Sequence, residues 1–204
     1  MSDHFYEPSQ GHGLAHNPFK AIVAPRPIGW ISSCNEKGET NLAPYSFFNG
    51  LNDTPPMVMF STTGERKDSV NNIEATGEFV VNFVGMHQAR QMNETSAAVA
   101  NGVNEFTLTD LESIPSRLVK PPRVADAIAA MECKLCQVLP LTDHKGQPVK
   151  GWVTIGEVVG IHINRRFIKD GLFDVTAARP IGRCGYRGDY VEVNEVFEMI
   201  RPSS

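Results

Sequence analysis

No stretch of this chain approaches the ~20 consecutive apolar residues that a membrane-spanning helix needs. The opening residues, Met1-Ser2-Asp3-His4-Phe5-Tyr6-Glu7-Pro8, lack both the basic and the apolar segment of a secretory leader. Neither membrane insertion nor export is therefore expected, and a cytoplasmic location is the default. Positive charge is in deficit: 19 Lys and Arg stand against 23 Asp and Glu, a formal net charge of -4. The cations are scattered, and Arg165-Arg166 is a pair rather than a patch, so no pull toward nucleic acid or an anionic membrane is expected. Only four cysteines occur, Cys34, Cys133, Cys136 and Cys184. In a chain of this length without an export signal, free thiols are expected. Cys133-x-x-Cys136 has the spacing of half a zinc site, but no second Cys-x-x-Cys or His pair completes a tetrahedron. Its surroundings read as a strand, which points the two side chains to opposite faces. No metal is expected. A Walker loop and a Rossmann glycine fingerprint are also missing. So are a convincing catalytic triad and a carboxylate dyad, and no catalytic residue is assigned.

What is present suits one domain spanning residues 1–204. At 41% hydrophobic and 21% charged, the composition is that of an ordinary globular protein. Residues 1–20 are rich in His, Gly, Pro and Asn and read as an irregular N-terminal arm. His12 and His16 have helical spacing, but Gly13 between them argues against a helix. Strands are predicted over residues 28–33, 41–51, 57–61, 79–84, 130–139 and 152–163, with 57–61 apolar enough to be buried. Simple alternation over the last of these puts Trp152, Thr154, Gly156, Val158, Gly160 and His162 on one face. Helices are predicted over 68–77 and 86–100, and an extended piece over 106–110. Many short strands, few helices and frequent Gly/Pro turns indicate a mainly β fold, an antiparallel barrel or sandwich. Arg26-Pro-Ile-Gly29 recurs as Arg179-Pro-Ile-Gly182, too short a match to be a repeat.

Two segments carry chemistry. Thr62-Thr-Gly-Glu-Arg-Lys-Asp-Ser69 combines hydroxyls, a glycine, two cations and a helix start. Hydroxyls and free N–H groups donate hydrogen bonds to phosphate, Lys67 or Arg66 supplies charge, and the helix terminus adds favourable partial charge. Asp68 is expected to cap the helix or orient Lys67, since a carboxylate repels phosphate. In Asn41-Leu-Ala-Pro-Tyr-Ser-Phe-Phe, the small residues Ala43 and Pro44 would let a flat ring approach the backbone. Such a ring would take hydrogen bonds from backbone N–H, Asn41 or Ser46. Taken alone, each segment also reads as an ordinary solvated loop or a bulged edge strand.

The order of motifs is more specific: Arg26-Pro27-Ile-Gly-Trp-Ile-Ser-Ser, Gly38, Asn41-Leu-Ala-Pro44-Tyr-Ser46-Phe, Pro55-Pro56, Phe60-Ser61, Lys67-Asp-Ser69, Asn72-Ile, and Gly77-Glu-Phe-Val-Val-Asn82. This series resembles the flavin reductase-like family, in the branch related to flavoredoxin and the nitrilotriacetate monooxygenase reductase component. The resemblance is dense over residues 17–85 and continues loosely to about residue 190. It implies an antiparallel, Greek-key FMN-binding split β-barrel with a few short flanking helices, and FMN rather than FAD as cofactor. It implies that Arg26 and Pro27 border the flavin and that Asn41, Leu42, Ala43, Pro44 and Ser46 line its ring. Ser61, Thr62, Thr63, Lys67 and Ser69 would hold the phosphate region, and Asn82 would close the pocket or satisfy backbone groups. Some members carry a Gly-Asp-Ser-His motif tied to nicotinamide binding. Here its place falls to Gly156-Glu157-Val158-Val159, leading to His162, which is expected to face the flavin or nicotinamide or to be a half-buried barrel histidine. The implied activity is NAD(P)H-dependent flavin reduction for a partner monooxygenase or another acceptor. The alternatives are an FMN electron carrier and a non-enzymatic flavin-binding module. A homodimer is implied, with the arm as a plausible interface element.

Overall fold

The computed structural model describes residues 3–99 and 102–202. Its first half contains strands β1 (Arg26–Pro27), β2 (Gly29–Cys34), β3 (Thr40–Tyr45), β4 (Phe48–Asp53), β5 (Pro56–Thr63) and β6 (Glu78–Phe83). Helices α1 (Phe19–Ile22), α2 (Asp68–Thr76), α3 (Ala89–Glu94) and α4 (Glu105–Leu108) lie before, between and after them. The second half adds β7 (Ser113–Ile114), β8 (Arg123–Val124), the long strands β9 (Ala129–Thr142) and β10 (Pro148–Ile163), and then β11 (Ile168–Lys169) and β12 (Leu172–Phe173). Helix α5 (Val175–Ala178) leads to β13 (Ile181–Arg183) and β14 (Tyr190–Glu192).

Seven strands form one antiparallel sheet in the order β3-β2-β6-β9-β10-β5-β4. Its two edges, β3 and β4, are joined by Ser46 and Phe47, so the sheet curls toward closure but stays open between them. Ile31, Val58, Phe60, Phe79, Val81, Cys133 and Val158 fill the interior. Helix α2 plugs one end with Val70 and Ile73, both fully buried. It stops at Gly77, whose φ of 73° is the left-handed conformation a helix C-cap favours. A second core lies outside the sheet, where Trp30 and Leu42 pack with Met92, Phe106 and Ile181.

Several expectations change. Residues 106–110 begin as helix α4, because the Asn104 side chain accepts the Phe106 N–H at 3.0 Å and caps it. Over 86–100 the helix shrinks to a 3-10 turn and the six residues of α3, and residue 100 lies outside the described residues. Strand β5 is buried on alternate residues only, so Met57 and Met59 face out while Val58 and Phe60 face in. The register of β10 against β9 shifts between Ile155 and Gly156 and between Val158 and Gly160. The second bulge reverses the side-chain alternation. Val158 sits opposite Cys133 in the interior, whereas His162 sits opposite Ala130, whose cluster with Val80 and Val119 is a separate one. His162 therefore does not share a face with Trp152, Thr154, Gly156 and Val158. The Arg26–Gly29 and Arg179–Gly182 matches do meet: Pro27 pairs with Gly182 and Arg26 with Arg183. Among the described residues no helix is long and apolar enough to cross a membrane.

Candidate functional site

Edge strand β3 pairs only with β2, so alternate residues of it present their backbone outward. The Leu42 N–H is taken by the buried Glu105 carboxylate, with Oε2 at 2.9 Å. Pro44, two residues on, has no N–H, which suits an outward position on an edge. Strand β3 therefore does not offer those N–H groups to a ring, contrary to the expectation from sequence. What the wall offers is side chains and the Ser46–Phe47 link. The Leu42 side chain is fully buried in the outer core and lines nothing.

Asn41, Tyr45 and Ser69 meet at the start of α2. Ser69 Oγ accepts from Asn41 Nδ2 at 2.9 Å and from the Tyr45 hydroxyl at 3.0 Å. Two donors on one hydroxyl oxygen leave the Ser69 proton free to donate. Burial pushes the Tyr45 phenol up to about 12, so it remains a neutral donor. The α2 N-cap is the exposed Lys67, with no side-chain cap; neither Asp68 nor Ser69 fills that role. The first intrahelical bonds run from Val70 and Asn71 to the Lys67 carbonyl, which leaves the Asp68 and Ser69 N–H groups at the positive end of the helix. Arg66 is engaged by Glu74 and lies 5.5 Å from the centre of the Trp152 ring. Lys67 has no carboxylate partner among the described ion pairs.

Strand alternation divides the predicted hydroxyl set. Thr62 points into the barrel, 2% exposed, and its Oγ1 has no hydrogen-bond partner. Ser61 and Thr63 face the other way, out of the barrel. The Ser61 N–H binds the Phe47 carbonyl at 2.7 Å. On the other side of Ser46, Pro44 and Ser46 border a small cavity with Ile28, Met92, Arg183 and Tyr190. Arg183 also faces a larger cavity beside Arg26. Arg26 is 5% exposed, its guanidinium donates to the Lys20 and Val23 carbonyls, and its Nε is unpartnered. Pro27 is exposed beside it.

Two further predicted residues are not brought to this wall. Asn82 is fully buried: Nδ2 donates to the Trp30 carbonyl at 3.0 Å and to Ser32 Oγ at 3.3 Å, and Oδ1 accepts the Val124 N–H at 2.8 Å. It ties backbone together and closes no pocket. His162 lies in the row Pro44–Trp30–Asn82–Ala130–His162, four strand spacings from β3 or about 19 Å around the sheet. From Trp152, opposite Thr62, it is ten residues along β10, roughly 33 Å. Its Nε2 is 2.5 Å from Glu132 Oε1. Burial by itself would raise the Glu132 carboxyl. Hydrogen bonds from the Arg117 N–H, His162 and the Leu118 N–H outweigh that effect and hold it below its ordinary value. The glycines on this strand are explained by packing. A Cβ on Gly156 would lie 2.4 Å from Phe79 Cζ, and one on Gly160 would lie 3.2 Å from Leu118 Cδ1. Cys133 is buried, which drives its thiol upward, away from a thiolate, while Cys136 is exposed; all four cysteines are free.

Sequence reasoning missed Glu105, Tyr45, Arg183 and Glu132. Arg183 was within reach, since it follows the second Arg-Pro-Ile-Gly directly.

A model of the flavin reductase like domain matches residues 23–177. The chain belongs to this family. An uncharacterized protein from Aquifex aeolicus is 37% identical over 169 residues, covering 80% of this chain and 83% of its own. The crystal structure of nitrilotriacetate monooxygenase component B from Bacillus cereus is 30% identical, with a TM-score of 0.82 over 91% of this chain and 98% of that one. Flavoredoxin of Desulfovibrio vulgaris has a TM-score of 0.76 at 17% identity, over 87% and 91% of the two chains, and shares the split-barrel fold. The residues at the β3–β5–α2 wall fit the family's cofactor chemistry. They supply hydroxyl donors, an unpaired lysine, an uncapped helix start and a proline-bearing edge beside Ser46.

Proposed function

We propose that the protein is an FMN-binding oxidoreductase that takes electrons from NAD(P)H and delivers them to a second acceptor, such as a partner monooxygenase. The observation that carries this reading is the α2 start. Lys67, two residues before Ser69 and next to the free helix N–H groups, has no carboxylate partner among the described ion pairs, while neighbouring Arg66 is neutralised by Glu74. That arrangement has the charge and donors for a phosphate monoester. In the proposed site, Lys67, Ser69, Ser61 and Thr63 hold the phosphate end. Asn41, Ala43, Pro44 and Ser46 flank the ring, and Arg26 and Pro27 border it. Thr62 faces the barrel interior, and Leu42 and Asn82 face the outer core, so none of the three presents a free side chain to the site. Bound FMN would supply hydride and single-electron transfer, so the chain needs no acid–base pair of its own.

An FMN carrier without nicotinamide chemistry is the second reading. It is favoured by the absent Gly-Asp-Ser-His motif and by the engagement of His162 with Glu132. A visible spectrum recorded before and after adding NADH or NADPH separates the two. A yellow protein that bleaches supports the reductase. A yellow protein inert to both nucleotides supports the carrier, and a protein that binds no flavin refutes both.

The outward rows Asn49–Met59–Ile155–Gln137 and Ser61–Val153–Leu139 support a homodimer through this face. Met59, Ile155, Val153 and Leu139 form their apolar centre, bordered by Asn49, Gln137 and Ser61, and Ser61 sets this surface against the proposed flavin wall.

A further inference from the structure

A cavity of about 540 Å³ lies beyond β1 and is lined by Lys20, Arg26, Arg183 and Arg187. None of these four cations has a carboxylate partner among the described ion pairs. Arg26 and Arg183 are direct cross-strand partners. Like charges placed directly opposite in a sheet repel each other. Arg26 is also buried, and its guanidinium is the less basic for that burial and for the nearness of Arg183. The compensation in view comes from neutral groups, including the Tyr190 ring 4.7 Å from the Arg183 guanidinium. Arg26 donates to two carbonyls at the end of α1. Arg183 reaches the Tyr190 hydroxyl at 3.3 Å and the Tyr186 carbonyl at 3.4 Å. The Nε of each guanidinium is buried without a partner. Asp189, near the rim, spends its carboxylate on the Tyr186 N–H at 2.7 Å. A like-charge pair with one member buried, the other half-buried and both Nε donors unsatisfied calls for an anion to complete it.

The cavity wall also carries rings. His16 and Tyr186 line it, with their centroids 5.8 Å apart and tilted at 57°. Cations answer a phosphate, and aromatic faces answer a base. The volume falls within the range that holds a nucleotide-sized ligand.

We propose that this cavity binds a phosphorylated nucleoside, with its phosphate monoester between Arg26, Arg183 and Lys20 and its base against His16 and Tyr186. The inference stands on the cavity's own residues. If the flavin reading also holds, the occupant is the nucleotide end of the reductant, and Lys20, 5.8 Å from the Phe47 ring centre, links the two regions.

The test is calorimetric titration of the flavin-loaded protein with adenosine 2′,5′-bisphosphate, inorganic phosphate and adenosine, and with the oxidised nucleotides NADP+ and NAD+, which cannot reduce the flavin. The bisphosphate should bind at least tenfold tighter than phosphate or adenosine. Arg183→Gln should weaken it tenfold or more. Arg183 also contacts β14, so the double variant Lys20→Ala/Arg187→Ala, altered only at exposed positions, checks the same loss without touching the sheet. A tenfold preference for NADP+ over NAD+ identifies a dinucleotide as the occupant. Equal binding of the two beside tight bisphosphate binding identifies a free nucleotide. Bisphosphate that binds no tighter than inorganic phosphate, or that is indifferent to both variants, overturns the proposal. The readout needs no turnover, so a protein that takes up no flavin refutes the proposed function and leaves this test readable.

Discussion

Lys67 and Arg66 are neighbours in sequence and opposites in circumstance. Arg66 is held by Glu74 and Trp152; Lys67 is exposed and unpaired at the start of α2. Lys67→Ala should therefore weaken FMN binding by roughly ten- to a hundredfold, the ~1.5–3 kcal/mol of a hydrogen bond to a charged group. Arg66→Ala should change it far less. Quenching of flavin fluorescence on titration measures both, and equal losses would remove the distinction. Glu105 makes a second test. Burial raises its carboxyl above the ordinary 4.5, so ionising it costs more in the folded chain than in the unfolded one. That cost is absent below the ordinary value and grows as pH rises through the raised one. Glu105→Gln keeps an acceptor for the Leu42 N–H and removes the charge. Its Tm should equal or exceed that of the parent at about pH 8, and the gap should close by about pH 4. A Tm well below the parent's at the higher pH would show that the charge itself is needed.

At the scale of the element, Glu132 fastens the segment ahead of β8 to the sheet. Its carboxylate takes the Arg117, Leu118 and Val119 N–H groups at 2.8, 2.5 and 3.1 Å, besides His162. Its lowered pKa means that this anchoring is fully present above the ordinary 4.5 and is lost as pH falls below it. Glu132→Gln should accelerate hydrogen exchange at Leu118 and Val119 far more than at β2 or β6, and unchanged exchange would refute the anchor. Local patterns made some elements legible from sequence. The apolar 79–84 run became β6, and the 68–77 helix ends at its glycine. Helix α4 was not legible, because a four-residue helix has no periodicity and rests on the Asn104 cap and on packing against β3. The bulge at Val158–Gly160 was equally hidden. Alternation carried through it put His162 on the wrong face, since one extra residue reverses every side chain beyond it.

For the whole molecule, motif order told more than any motif. The series from Arg26 to Asn82 pointed to the split barrel, yet it could not say which hydroxyls face in. Thr62 turned into the barrel and Asn82 into the outer core because a strand sorts its residues by parity and by the partners they find across the sheet. The same sorting leaves the outward rows through Met59, Ile155, Val153 and Leu139 unpartnered. Leu139 is 43% exposed. Leu139→Asp should shift the proposed dimer to monomer in light scattering at micromolar concentration, with little loss of Tm. A wild-type protein that is monomeric there would refute this face as an interface. Keeping the barrel open has a further consequence. An unclosed sheet carries free rims, and a free rim is a template on which other chains can stack into aggregates. On β3 that template is disarmed twice, by Glu105 occupying the Leu42 N–H and by Pro44 having none to offer. The gap between β3 and β4 can thus remain a groove for a small molecule without becoming a seam along which copies of the chain polymerise.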